Sequence, residues 1–378
     1  MNPFQYGGVV SGNAFCNREQ EQEDLLRVIA NCEKLFIYSE RRLGKTSLIK
    51  QVMNKLSMKD YIAAYVDLWT TDCADSFITT VAKVFTESMG STADMLLRTA
   101  KALFGSLAPG VTVDDEGKPV VTFGVRQLTE REPELEEVLD APAKIADKEK
   151  KKVIVIFDEF QQILEYGTDI IERRLRSIIQ HHKNVCYIFM GSRKHLIRGM
   201  FLDGSRPLYR SAGHYPLEPI KEEHWKPFIR ERFKYTGKII TDETINKICH
   251  VTGGHPFYTQ HLCHVLWERC EPGEAEKPDS IMSAIDILLQ RESYAYTELW
   301  GSLKVNHRRL LKGLAREQPG VQPFSSEFIG NNTLKSPSNV QRASEVLLER
   351  DIIDRDNGSF VIIDRFFRIW INKTQDYR

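Results

Sequence analysis

Residues 39–47 read Ser39-Glu40-Arg41-Arg42-Leu43-Gly44-Lys45-Thr46-Ser47, with the apolar, β-rich run Lys34–Ser39 leading into them and a helix-forming run following. That placement decides the fold. A loop that leaves a strand and opens a helix aims consecutive backbone N–H groups and the positive end of the helix dipole at one point, which suits an anion and above all a phosphate. Gly44-Lys45-Thr46 adds the side chains this requires. Lys45 reaches the β- and γ-phosphates, and the Thr46 hydroxyl takes one position around Mg²⁺. Ser39 stands where the phosphate-loop pattern has its first glycine, a position at which glycine's freedom to adopt positive φ and its missing Cβ are ordinarily used.

Working outward, short runs rich in Val, Ile, Tyr and Phe predict further strands at Tyr61–Leu68, Lys152–Asp158, Val185–Gly191 and His214–Pro219, alternating with helical stretches. This is the pattern of a parallel sheet covered on both faces. The run Lys152–Asp158 ends in two carboxylates: Asp158 is placed to hold the metal's water shell, and Glu159 to activate the attacking water as a general base. A third strand ends Gly191-Ser192-Arg193, at the same ligand-binding edge, where Ser192 or Arg193 would sense the γ-phosphate. The expected fold is therefore α/β, a P-loop NTPase with a parallel five-stranded sheet and a catalytic glutamate.

An insertion at about 70–150 separates the second and third strands. It reads as helices at Asp75–Thr86, Thr92–Phe104 and Glu132–Ala146, with a hairpin turning at Asp114–Pro119. It reads either as a packing elaboration or as a partner-docking surface. Beyond Ile220 the pattern is helical (Glu222–Tyr235, Asp242–His250, His255–Arg269), then a loose linker at Glu271–Pro278. Helices at Val305–Ala315, Ser325–Asn331 and Ser338–Arg350, then two apolar runs parted by Asp356-Asn357-Gly358, outline a winged helix. The expected domains are an ATPase domain at 1–220, a helical lid at 221–290 and a winged helix at 291–378.

With these elements in place, the chain resembles the bacterial and archaeal ATPases of the STAND class, relatives of AAA+ and origin-recognition ATPases. Asn17-Arg18-Glu19 is similar to the segment before the family's phosphate loop, with Asn17 where glycine is usual. Arg41-Arg42-Leu43-Gly44-Lys45-Thr46-Ser47 resembles the loop itself. Asp158-Glu159-Phe160-Gln161 and Gly191-Ser192-Arg193 resemble the acidic motif and first sensor, and Gly254-His255-Pro256 the lid's Gly-x-Pro element. Asp364-Arg365-Phe366-Phe367-Arg368-Ile369-Trp370 resembles the winged-helix ending, with Arg365 where proline is usual. The resemblance implies ATP or ADP with Mg²⁺, bound by Arg18, Ser39, Arg41 to Ser47, Asp158, Ser192, Gly254 and Pro256. Thr46 and Asp158 serve the metal; Glu159 and Arg193 serve hydrolysis. It also implies a nucleotide-driven movement of lid and winged helix, and leaves room for a homo-oligomer in which Arg206 or Arg210 acts on a neighbour's site.

The composition limits the partners. With 52 Lys+Arg against 52 Asp+Glu the net charge is zero, which excludes a dedicated polyanion binder but not a protein whose polyanion is a nucleotide. Residues 291–378 carry 14 basic and 11 acidic side chains, so duplex DNA contact through the winged helix and docking to a protein stand level. No apolar run approaches the roughly 20 residues of a membrane helix, and seven irregularly spaced cysteines suit reduced thiols. A cytoplasmic location without membrane contact is expected. The Cys/His cluster between Cys249 and Cys270 lacks zinc-ligand spacing. Two functional readings follow: a slowly hydrolysing Mg-ATP switch, or an ATP-dependent DNA-binding regulator in which hydrolysis is incidental. A scaffold that has lost turnover, suggested by Ser39, is a third.

Overall fold

The computed structural model describes residues 1–124, 132–317, 322–356 and 359–374. In chain order its elements are α1 (Glu19–Ala30), β1 (Lys34–Tyr38), α2 (Lys45–Asn54), β2 (Tyr61–Asp67), α3 (Ala74–Glu87), α4 (Ala93–Leu103), β3 (Ala108–Val113), β4 (Pro119–Gly124), α5 (Glu132–Glu149) and β5 (Lys152–Asp158). There follow α6 (Ile170–Ile179), β6 (Val185–Gly191), α7 (Lys194–Leu202), β7 (Gly213–Pro216), α8 (Glu222–Tyr235), β8 (Ile239–Ile240), α9 (Asp242–Thr252) and α10 (Pro256–Arg269). The chain ends with β9 (Ala275–Glu276), α11 (Ser280–Gly301), α12 (Val305–Arg316), α13 (Ser326–Asn331), α14 (Pro337–Glu349), β10 (Ile353–Asp356), β11 (Ser359–Ile362) and α15 (Arg365–Thr374). The chain divides into two compact units, one of residues 19–39 and 48–217, the other of residues 1–18, 40–47 and 218–378.

The first unit holds the sheet, in the order β2-β5-β6-β1-β7. Every neighbouring pair is parallel. All seven residues of β6 and six of seven in β5 are buried, as central parallel strands must be when helices cover both faces. The edge strand β2 alternates instead, and β7 at the other edge is short and mostly exposed. The register matters for function. Tyr38, the last residue of β1, pairs with Gly191, and Phe157 pairs with Phe189. The β1 end from which the phosphate loop departs therefore lies beside the end of β6, one strand from Asp158.

The insertion is built into the same core. Phe77, Val81 and Phe85 of α3 and Leu135, Val138 and Leu139 of α5 join Phe157 and Val155 in one apolar cluster, while Leu96, Ala100 and Val121 make a small satellite under the β3–β4 hairpin. Asp114 organises the hairpin turn by accepting from the amides of Glu116 (3.0 Å) and Lys118 (2.8 Å).

In the second unit one continuous core runs from Phe4 and Cys16 through Trp225, Leu262 and Leu288 to Leu347, Phe367 and Ile371. The lid helices and the winged helix thus share their packing, and the expected boundary at 290/291 falls inside α11, a single helix of 22 residues. The expected linker at 271–278 contains β9, which pairs in parallel with β8. Strands β10 and β11 form the expected antiparallel hairpin, with Ile353 opposite Ile362; the Asn357-Gly358 turn lies outside the described residues. Among the described residues no helix is long and apolar enough to cross a membrane.

Candidate functional site

The phosphate loop opens α2 at Lys45. Its backbone turns by two left-handed residues, Arg42 at φ 59° and Gly44 at φ 93°. A Cβ at Gly44 would meet nothing within 4 Å, so the glycine is needed for its dihedral and not for space. Ser39 is fully buried and is not among the residues with positive φ. The chain thus places its left-handed turn three residues beyond the point where the first glycine of the pattern would provide it.

Residues of the second unit surround the loop. The Lys45 side chain is buried and its Nζ donates to the Glu40 carbonyl at 3.5 Å. Arg18 Nη2 donates to the Leu43 carbonyl at 3.4 Å, and the Val10 amide donates to Ser47 Oγ at 3.0 Å. Asn17 and Arg18 are both left-handed, at φ 53° and 72°. Asparagine tolerates that region better than other non-glycine residues, which accounts for Asn17 where the related segment carries glycine. The lid contributes His255, whose Nε2 lies 3.0 Å from the Arg41 carbonyl. Burial first, and then the positive Arg365, push the His255 pKa down to about 3, so the neutral ring donates through Nε2–H. Arg42 lies over the Phe257 ring, 4.4 Å from its centroid. Gly254, at φ 68°, has a tight structural duty: its carbonyl accepts from Trp225 Nε1 at 3.0 Å and from the Ile220 amide at 3.1 Å, and a Cβ there would strike the Ile220 carbonyl. Pro256 starts α10, a position where its missing N–H costs nothing. The structure therefore brings Arg18, residues 40–47, Gly254 and Pro256 into one unit.

The acidic residues belong to the sheet unit. Asp158, at the end of β5, is buried; its Oδ2 accepts from the Tyr65 hydroxyl and its Oδ1 from the Glu159 amide at 3.0 Å. Glu159 takes a left-handed conformation, φ 51° and ψ 42°, which ends the strand and turns its side chain. Its Oε2 accepts from Ser192 Oγ at 2.8 Å and from Gln161 Nε2. Gln161 rests on Gly191, where a Cβ would strike its Oε1, an atom that is buried and has no hydrogen-bond partner. Arg193 Nη1 pairs with Glu165 Oε1 at 3.0 Å. Of the two sensor candidates, Ser192 is thus the one bonded to the Glu159 carboxylate. Sequence reasoning placed Asp158, Glu159 and Ser192 at one strand edge but did not find Tyr65 or a role for Gln161, although Gln161 lies in the Asp-Glu-x-Gln run. Arg206 pairs with the buried carboxylate of Glu172.

The donors suit the groups the site would take. A lysine ammonium and helix-opening amides match phosphate oxygens, while the Thr46 hydroxyl in one unit and the Asp158 carboxylate in the other are each the hard oxygen type that Mg²⁺ prefers.

The sheet order, the Gly44-Lys45-Thr46 loop, the Asp158-Glu159 strand end and the C-terminal three-helix unit with its hairpin define a P-loop ATPase carrying a winged helix. The chain belongs to the family described as an ATPase domain predominantly from Archaea, which matches residues 15–262, while residues 294–373 match a family described as "Probable winged helix domain". A Walker-type ATPase of Pyrococcus abyssi is similar along the whole length, with a TM-score of 0.66 at 15% identity, covering 98% of this chain and 99% of the other. The ORC2 protein of Aeropyrum pernix, in a structure with ADPNP and ADP, gives a TM-score of 0.52 at 14% identity over 99% of both chains. The ORC1 protein of Aeropyrum pernix, solved in complex with DNA, gives 0.50 at 13% identity over 96% of this chain and 94% of the other. No curated protein matches the sequence significantly.

Proposed function

We propose that the protein is a slowly hydrolysing Mg-ATP switch of the cytoplasm, in which the nucleotide state is passed through the lid and winged helix to a protein partner. Lys45 binds the β- and γ-phosphates, with Arg18, Ser39, Arg41, Arg42, Leu43, Gly44 and Ser47 shaping the loop around them. Thr46 and Asp158 supply the oxygens for Mg²⁺, whose charge neutralises the phosphates. Glu159 removes the proton from the attacking water, Ser192 and Gln161 hold its carboxylate in place, and Arg193 reads the γ-phosphate. Gly254 and Pro256 set the lid backbone that follows the nucleotide.

One observation carries this reading. The Glu159 carboxylate is fixed by two donors at the strand edge that also releases the Gly44-Lys45-Thr46 loop. A base held that way serves water activation, for which general-base catalysis contributes about 10²–10⁴-fold. The test pairs two variants. Lys45→Ala should lose MgATP binding in a calorimetric titration, and Glu159→Gln should keep binding while phosphate release falls about 10²–10⁴-fold. Unchanged affinity in the lysine variant would remove the site assignment.

A second reading, duplex DNA binding, is supported by the fold shared with the Aeropyrum pernix ORC1 protein, whose structure contains DNA. Within the winged helix, Arg308 donates to the Gly301 carbonyl, Arg309 to the Thr333 carbonyl, and Arg350 to Ser302 Oγ. Those basic groups are engaged within the fold. A duplex mobility shift at low salt that weakens with Arg308→Ala and Arg309→Ala would favour the DNA reading.

A further inference from the structure

The winged helix touches the phosphate loop through two oppositely directed ion pairs. Arg41 Nη2 of the loop lies 3.0 Å from Asp351 Oδ2, and Glu40 Oε2 of the loop lies 3.4 Å from Arg365 Nη2. Asp351 ends the helix–strand corner after α14 in a left-handed conformation, φ 52°. Arg365 begins α15 and also donates through Nη1 to the Thr252 carbonyl at the end of α9. Gly253 makes room for this, since a Cβ there would strike Arg365 Nη1. His255 holds the carbonyl of the same Arg41. Two adjacent loop residues are thus gripped side chain by side chain from the winged helix, and by the lid from the backbone.

We propose that Asp351 and Arg365 are positioning residues that regulate the nucleotide site, a charge-swapped latch in which the Asp351 carboxylate competes with nucleotide phosphate for Arg41. The proposal rests on the reading of residues 40–47 as the nucleotide phosphate site. The two pairs act with opposite sign on an anion. Asp351 brings a negative charge to the loop and neutralises Arg41, so it opposes phosphate. Arg365 neutralises Glu40, so it favours phosphate. Because the effects are reciprocal, a nucleotide that draws Arg41 away must loosen the Asp351 contact by the same free energy that Asp351 removes from nucleotide affinity. Arg365, anchored at both Glu40 and Thr252, stays as the pivot.

The experiment uses the full chain, MgADP and MgATP as probes, and two readouts. The first is nucleotide affinity by titration. Asp351→Asn should bind MgADP about three- to tenfold tighter, and Arg365→Gln about three- to tenfold weaker, the size expected of partly buried ion pairs competing with phosphate. The second is hydrogen exchange of residues 347–356 and 365–374 without nucleotide, which does not depend on the site binding anything. Both segments should exchange faster in the two variants, and MgADP should accelerate 347–356 in the wild type but not in Asp351→Asn. The swap Arg41→Asp with Asp351→Arg should restore the nucleotide-free protection that either single change removes, which separates the latch from simple loss of folding. Equal affinities and equal exchange in all variants would overturn the latch. A wild type that binds no nucleotide, with exchange still responding to the swap, would overturn the nucleotide reading and leave the ion-pair grip standing.

Discussion

Gly191→Ala is the most pointed test of how the Glu159 carboxylate, the proposed general base, is held. Gly191 is not among the residues with positive φ, so alanine fits the backbone and the cost is one of space alone. The new Cβ would strike Gln161 Oε1 and lie 3.1 Å from Ile197 Cβ and 3.3 Å from Ile197 Cδ1. Overpacking a well-filled site costs about 1–3 kcal/mol. Displacing Gln161 also removes its hydrogen bond to Glu159, and a bond to a charged group contributes about 1.5–3 kcal/mol. Together these predict a loss of about 3–5 kcal/mol in urea unfolding followed by circular dichroism. Phosphate release at saturating MgATP should fall about 10- to 100-fold, as expected when a catalytic group is displaced by about an ångström. The second arm introduces the same change into Gln161→Ala. There the Oε1 atom is gone and only the Ile197 contact remains, so Gly191→Ala should cost about 1 kcal/mol. Hydrolysis should not recover, because the donor to Glu159 is still missing. An equal stability cost in both backgrounds would refute the idea that Gly191 exists to seat Gln161.

Two further outcomes follow from the ionisable groups. His255 is held neutral, with its pKa pushed down to about 3 from 6.5; the unfolded chain therefore binds more protons between those values, and stability is full above about pH 6.5 and declines as pH falls toward 3. Acid unfolding monitored by tryptophan fluorescence should lose up to about 1.4 kcal/mol per pH unit in that window from this residue, and His255→Gln should flatten the slope while leaving the smaller effect of His261, pushed down to about 4. Arg206→Ala should destabilise the sheet unit by about 3–5 kcal/mol at pH 7, because it leaves the Glu172 carboxylate buried without its cation. Burial already raises the Glu172 pKa, so protonation relieves the loss and the penalty measured by urea unfolding should shrink at pH 5.

The readable parts of the fold were those whose physics is local. Strands β5 and β6 show themselves because both faces are buried and nearly every residue is apolar. Strand β7 has no such pattern, with three of its four residues exposed, and the sequence places it at His214–Pro219 instead of Gly213–Pro216. The two-residue pair β8–β9 is formed by tertiary packing, and the sequence shows only a loose turn there. Helix α11 carries apolar positions at Ile281, Ala284, Ile285, Leu288 and Leu289 in helical spacing, yet it follows a proline-rich stretch that reads as a break. At the candidate site, the positions of Lys45, Thr46, Asp158 and Glu159 at a helix start and a strand end were legible because each of those runs is contiguous in sequence. The partners Tyr65 and Gln161 were not. Tyr65 comes from the neighbouring strand, 93 residues before Asp158, and Gln161 is defined by its seat on Gly191. The Arg365–Glu40 contact spans 325 residues, a separation over which no periodicity carries information.

Helix α11 has a mechanical consequence. At about 1.5 Å per residue its 22 residues span about 33 Å without interruption, while the two matching families end at residue 262 and begin at residue 294. Recombination within residues 280–294 would cut through a rod whose two ends are buried in the same apolar mass: Ile281 and Leu288 toward one end, Tyr296 and Trp300 toward the other. The two families match separate stretches, yet the lid and the winged helix share one core, so exchanging the winged helix at residue 294 means repacking the helix that runs into it.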